Sequence, residues 1–184
     1  MLIVNCAPGD VLVQAHGFPW PQLAWAATGM PYPHSQLVTR VEPILGDEKA
    51  MVDPAMRVWI VEDHDRGVYE KPAWNLDWFE VWRPLCSDEI KAQAIALMLA
   101  HGGEAYGIEK LLRITAFTRL GLLTVPADYD DARHDHDPMV CSEIVARSYW
   151  RAGYDLVPGV SNRITLPGEL RNPATCQFIG MALA

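Results

Sequence analysis

In the stretch Val140-Cys141-Ser142-Glu143-Ile144-Val145-Ala146-Arg147-Ser148-Tyr149, apolar and small residues recur at helical intervals. Ile144, Val145, Ser148, Tyr149 and Ala152 are spaced near 3.6 residues per turn, which predicts a helix over 141–152 that stops at Gly153. Cys141 then opens that helix, directly after Asp135-His136-Asp137-Pro138-Met139-Val140. A thiol at a helix N-terminus lies beside unpaired backbone N–H groups, whose partial positive charge favours the thiolate. The same groups can stabilise an oxyanion that develops on an attacked carbonyl. Against this stands the ordinary role of a lone cysteine as a small buried hydrophobe.

Outward from that helix, the preceding chain reads as strands followed by helices. Short strands are predicted over 2–6 and 11–15, separated by the turn residues Ala7-Pro8-Gly9-Asp10. A helix is expected over 20–30, ended by Gly29 and the extended Pro31-Tyr32-Pro33. Strands are expected over 35–41 and 56–61, the second rich in β-branched and aromatic residues (Val58, Trp59, Ile60, Val61). Residues 67–70 return antiparallel to it after a polar turn over 62–65, and a further strand covers 77–82. Gly46-Asp47-Glu48 reads as another turn.

Ser87 is an N-cap candidate, with Asp88 and Glu89 at the positive end of the helix dipole and Ile90, Ala94, Leu97 and Met98 forming a stripe that ends at Gly102-Gly103. A second helix is expected over 108–120, a polar loop over 124–138 and a last strand near 177–183. Strands, then helices, then a final strand make an α+β domain, with residues 1–184 as one unit.

The chain has 184 residues, net charge −8 and four cysteines. The apolar content, half of all residues, excludes a disordered chain. Four cysteines without CxxC spacing argue against a disulfide scaffold or a structural zinc site. The acidic balance, with fifteen basic residues thinly spread, makes nucleic acid an unexpected partner. No apolar window approaches the roughly 18 residues needed for a transmembrane helix. With no leader recognised at the N-terminus, the expected location is cytoplasmic.

A thiolate needs a base, and His34, between Pro33 and the strand Ser35-Gln36-Leu37-Val38-Thr39, is the best placed of six histidines. His101 ends a helix, His64 lies in the polar turn and His16 precedes a glycine. A catalytic His usually has an acceptor on its second nitrogen. Glu62, after the strand ending at Val61, is the first candidate; Asp63 and Asp65 are alternatives and Gln36 a weaker one. His134-Asp135-His136-Asp137 resembles a metal-binding cluster but lacks a third ligand at diagnostic spacing, and no metal or other cofactor is expected. No phosphate-binding glycine loop and no GxSxG elbow is present.

Four segments occur in one order: Gly9-Asp10-Val11-Leu12-Val13, Pro33-His34-Ser35-Gln36-Leu37-Val38, Val58-Trp59-Ile60-Val61-Glu62 and Val140-Cys141-Ser142-Glu143-Ile144-Val145. This order resembles the permuted papain-like amidases, the circularly permuted branch of the NlpC-type cysteine hydrolases, in which the His strand leads and the Cys helix follows. Leu166-Pro167-Gly168-Glu169-Leu170 is similar to a Pro-Gly-Asp-Leu element of that family, with Glu for Asp, and Tyr106 to a family Tyr whose neighbouring Asp is here Gly107.

The resemblance spans about residues 8–172. It implies a permuted papain-like domain with a small antiparallel sheet or barrel packed against the Cys helix and further helices. It also implies Cys141 as nucleophile, His34 as general base and Glu62 as the orienting third residue. The expected activity is that of a thiol hydrolase of amidase or peptidase type on a peptide, amide or acyl-lipid substrate, with acyl transfer and thioester cleavage also open. The competing expectation is a non-catalytic binding or structural module on the same fold.

Overall fold

The computed structural model describes residues 6–14, 34–43, 56–64, 67–73, 79–104, 107 and 138–182. Outside them lie most of the strand expected over 2–6, the helices expected over 20–30 and 108–120, the turn at 46–48, Tyr106, His16 and the metal-like cluster at 134–137.

The described elements are β1 (Val11–Gln14), β2 (Ser35–Pro43), β3 (Met56–His64), β4 (Gly67–Pro72), β5 (Phe79–Pro84), α1 (Asp88–Ala100), α2 (Cys141–Arg151) and β6 (Cys176–Ala182). Two 3₁₀ turns, Asn162–Ile164 and Pro167–Leu170, lie between α2 and β6. The six strands form one antiparallel sheet in the order β4-β3-β2-β1-β5-β6. The architecture is α+β, as the order of strand and helix patterns implied.

One local expectation is corrected. Residues 62–64 are not a polar turn but the last residues of β3, which pairs with β4 down to His64↔Gly67. Gly67 has φ +87°, a conformation that costs a side-chain-bearing residue more than glycine. Only two residues of sequence therefore separate the paired ends of β3 and β4, and Glu62 lies within the ladder.

Strand alternation divides the core in two. Val11, Val13, Leu37 and Val61 face the helices and pack with Ala94 and Met98 of α1 and Ile144, Val145 and Tyr149 of α2. Leu12, Val38, Ile60 and Val81 belong to a second cluster with Val58 and Phe79. α1 begins as read: the Ser87 hydroxyl accepts from the Ile90 N–H at 3.4 Å. α2 ends before Gly153, whose φ of +91° breaks the helix.

The turn before β1 is fastened at two buried points. Asp10, wholly buried, accepts from the Ala7 N–H at 2.7 Å and from Arg83 Nε and Nη2 at 2.8 Å each, tying the turn to β5. The Tyr149 hydroxyl donates to the Gly9 carbonyl, tying the same turn to α2. Asp10→Ala takes the shared acceptor away from the Ala7 N–H and from the partly exposed Arg83 guanidinium. It should therefore lower unfolding free energy by about 2 kcal/mol, read from urea denaturation.

Candidate active site

The Cys-Ser-Glu segment builds its own platform. Glu143, the third residue of α2, returns its carboxylate to the Val140 N–H at 3.3 Å, which caps the helix start. Ser142 Oγ donates to the Thr165 carbonyl at 2.6 Å and pins the first turn to the segment before the Pro167–Leu170 turn. There Glu169 Oε2 accepts from the Leu166 N–H at 2.6 Å, so the Glu in Leu-Pro-Gly-Glu-Leu serves as a local cap. Cys141 is thus held at the first position of α2, where it is 2% exposed.

His34 immediately precedes β2, with its carbonyl accepting from the Gln14 N–H at 3.0 Å. Its Nε2 lies 3.1 Å from Glu62 Oε2, and its side chain also hydrogen-bonds with Cys141. With Nε2 engaged by the carboxylate, Nδ1 is the ring nitrogen left for the thiol. The structure thus brings together the three residues singled out in sequence, Cys141, His34 and Glu62.

Glu62 is 2% exposed, and its two oxygens are surrounded by donors. Oε2 accepts from Gln36 Nε2 at 2.5 Å as well as facing His34. Oε1 accepts from the Tyr69 hydroxyl at 2.9 Å and forms an ion pair with Lys71 Nζ. The strand register explains the row. Leu37 pairs with Val61, so the next step sets Gln36 beside Glu62, and Glu62 pairs in turn with Tyr69. Gln36, read from sequence as an alternative acceptor for His34, instead donates to the carboxylate. Tyr69 and Lys71 were not singled out in sequence. The signal for Tyr69 was the antiparallel return over 67–70, which places it opposite Glu62 once the turn is shortened to two residues.

The electrostatics separate Cys141 from the other cysteines. Burial pushes the thiols of Cys6 (to about 12), Cys86 and Cys176 (to about 11) upward. Burial also acts upward on Cys141, but the His34 charge and hydrogen bond, with contributions from the Ser35 backbone and side chain, bring its thiol below the ordinary value. Burial lowers the affinity of His34 for its proton, yet the Cys141 charge and hydrogen bond, followed by Glu62, leave it raised, to about 10. Together these directions favour a thiolate–imidazolium pair. Burial alone would raise the Glu62 carboxyl; hydrogen bonding and charge from His34 and then Lys71 hold it well below the usual carboxylate range.

The remaining residues are elsewhere. His101 caps the end of α1 and its Nδ1 is 2.9 Å from Glu104. Asp65 lies outside the described residues, while Asp63 and His64 are strand residues of β3. Among the described residues, no three His, Cys, Asp or Glu side chains are grouped to hold a metal ion, and no helix is long and apolar enough to cross a membrane.

A carboxyl held below its unfolded value near ~4.3 stabilises the fold fully above that pH, and the contribution is lost as pH falls through and below it. Glu62→Gln, which cannot ionise, lacks this dependence. The wild type should exceed the variant in stability at pH 6, and the gap should narrow as the pH falls below the unfolded value toward pH 3. Urea denaturation of both proteins across that range checks it; a gap that stays constant or widens refutes the assignment.

No protein-family model matches the chain, and no curated protein matches it. Among solved structures, the crystal structure of the metalloprotein yiiX from Escherichia coli O157:H7 (DUF1105) is similar in fold. It superposes with a TM-score of 0.60 at 13% sequence identity, over 97% of this chain and 98% of the other.

Proposed function

We propose that the protein is a cysteine hydrolase on a permuted papain-like fold, cleaving an amide or ester bond through Cys141, His34 and Glu62. The observation that carries this reading is the convergence of a depressed thiol at a helix start, an imidazole bonded to it, and a buried carboxylate on the second ring nitrogen. A cysteine kept only for packing has no need of a base, and burial alone would push its thiol up, as it does at Cys6 and Cys176.

In this reading His34 Nδ1 takes the Cys141 proton, and Glu62 holds the imidazolium in orientation through Nε2. The thiolate attacks the acyl carbon, and the carbonyl π electrons move to oxygen. The α2 N-terminal N–H groups are suited to stabilise that oxyanion. Collapse of the adduct expels the amine or alcohol, which receives the proton from His34. Water, deprotonated by the now neutral imidazole, then attacks the thioester; the acid leaves and the thiol is restored. Substrates fitting this chemistry are peptides, other small amides and acyl lipids.

The test combines alkylation and turnover. Iodoacetamide at pH 7 should label Cys141 ahead of the other three cysteines, as found by peptide mass spectrometry. A panel of activated acyl esters and amides should be hydrolysed by the wild type. Cys141→Ala should abolish turnover, and His34→Ala should reduce it by at least about 100-fold while thermal unfolding shows a retained fold. Turnover unaffected by Cys141→Ala, or preferential labelling of Cys6, Cys86 or Cys176, would sink the proposal.

A further inference from the structure

Ser35 follows His34 and opens β2, paired with Val13 of β1. Its side chain is 0% exposed, and its hydroxyl has no hydrogen-bond partner of ordinary geometry among the described residues. Buried polar groups in folded proteins are rarely left in that state, and the exceptions ask for a reason. Strand alternation sets Ser35 on the same face as Leu37, opposite Gln36. Leu37 packs in the cluster that contains Ile144 and Val145, so the Ser35 side chain is directed to the α2 side of the sheet. Cys141 begins α2, and both the backbone N–H and the side chain of Ser35 act on its sulfur in the sense that favours the thiolate.

We propose that the Ser35 hydroxyl donates a hydrogen bond to the ionised Cys141 sulfur, making Ser35 a further catalytic residue of the site. This rests on the reading of Cys141 as the nucleophile. The Ser35 hydroxyl is a neutral donor that does not titrate in the working range. It therefore supports the thiolate whatever the protonation state of His34. A hydrogen bond to the charged form of an acid favours ionisation, so its loss raises the thiol pKa. His34 is the titratable group that acts directly on the sulfur, with Glu62 behind it and Lys71 paired to Glu62. The Ser35 substitution leaves all three in place. On thiolate attack the sulfur loses its charge, and the hydroxyl is released from it.

The rate of Cys141 alkylation by iodoacetamide, followed by peptide mass spectrometry from pH 3 to 10 in the full-length protein, reads the thiolate fraction directly. Ser35→Ala should move the midpoint of the rise upward by about one pH unit, which is about tenfold in rate below the wild-type midpoint. The alkaline plateau should stay unchanged. Ser35→Thr, which keeps a hydroxyl, should return the midpoint toward the wild type. If the alanine variant does not fold, Ser35→Gly supplies the same comparison. An unshifted midpoint in the variant lacking the hydroxyl, or a threonine variant that behaves like alanine, overturns the role of Ser35 and leaves the Cys141 reading standing. A wild-type midpoint in the ordinary thiol range instead overturns the nucleophile assignment itself.

Discussion

The buried carboxylate of Glu62 is the constraint on which the site depends. An ionised carboxylate in a protein interior is costly unless its oxygens are hydrogen-bonded and its charge is balanced. Here Gln36, Tyr69 and Lys71 meet that requirement, and His34 completes it. Each of these partners comes from a strand or strand edge whose position is set by the register of β2, β3 and β4. The sheet thereby restricts the carboxylate, and the carboxylate restricts the imidazole. An alternative ring orientation would give up the Glu62 bond in a place where water cannot readily replace it.

The second half of the site is fixed independently. Glu143 caps α2, Ser142 ties its first turn to Thr165, and Ile144, Val145 and Tyr149 pack the helix on the sheet. Tyr149 and Asp10 both anchor the turn that leads into β1, the strand that pairs with β2 where it leaves His34. The Cys helix and the His strand are therefore braced against one another through β1. Two groups that must approach within hydrogen-bonding distance are carried on rigid elements, which suits a constellation that loses function with small displacements.

Much of this arrangement was legible locally. The helical spacing after Cys141, the glycine that ends it and the Ser87 cap appear in the structure at their expected positions. The β-branched and aromatic run at 58–61 lies in a strand paired on both sides, because such side chains fit a pleated surface. Residues 62–64 read as a turn from composition alone, because their polar side chains are those of exposed loops; their pairing with residues 67–69 is what makes them part of the ladder. Ser35 carried no signal at all, since a serine beside a histidine in a strand is unremarkable until its burial and its neighbours are known.

The sequence by itself determined the local setting of the candidate residues: a thiol at a helix start, a histidine before a strand, a carboxylate following an apolar run. Those features depend on neighbours a few residues away. The tertiary structure decided that Cys141, His34 and Glu62 meet, that Gln36, Tyr69 and Lys71 surround the carboxylate, and that burial pushes the other three thiols upward. Proton affinities follow from desolvation and from charges brought close in space, and both arise only when distant segments pack.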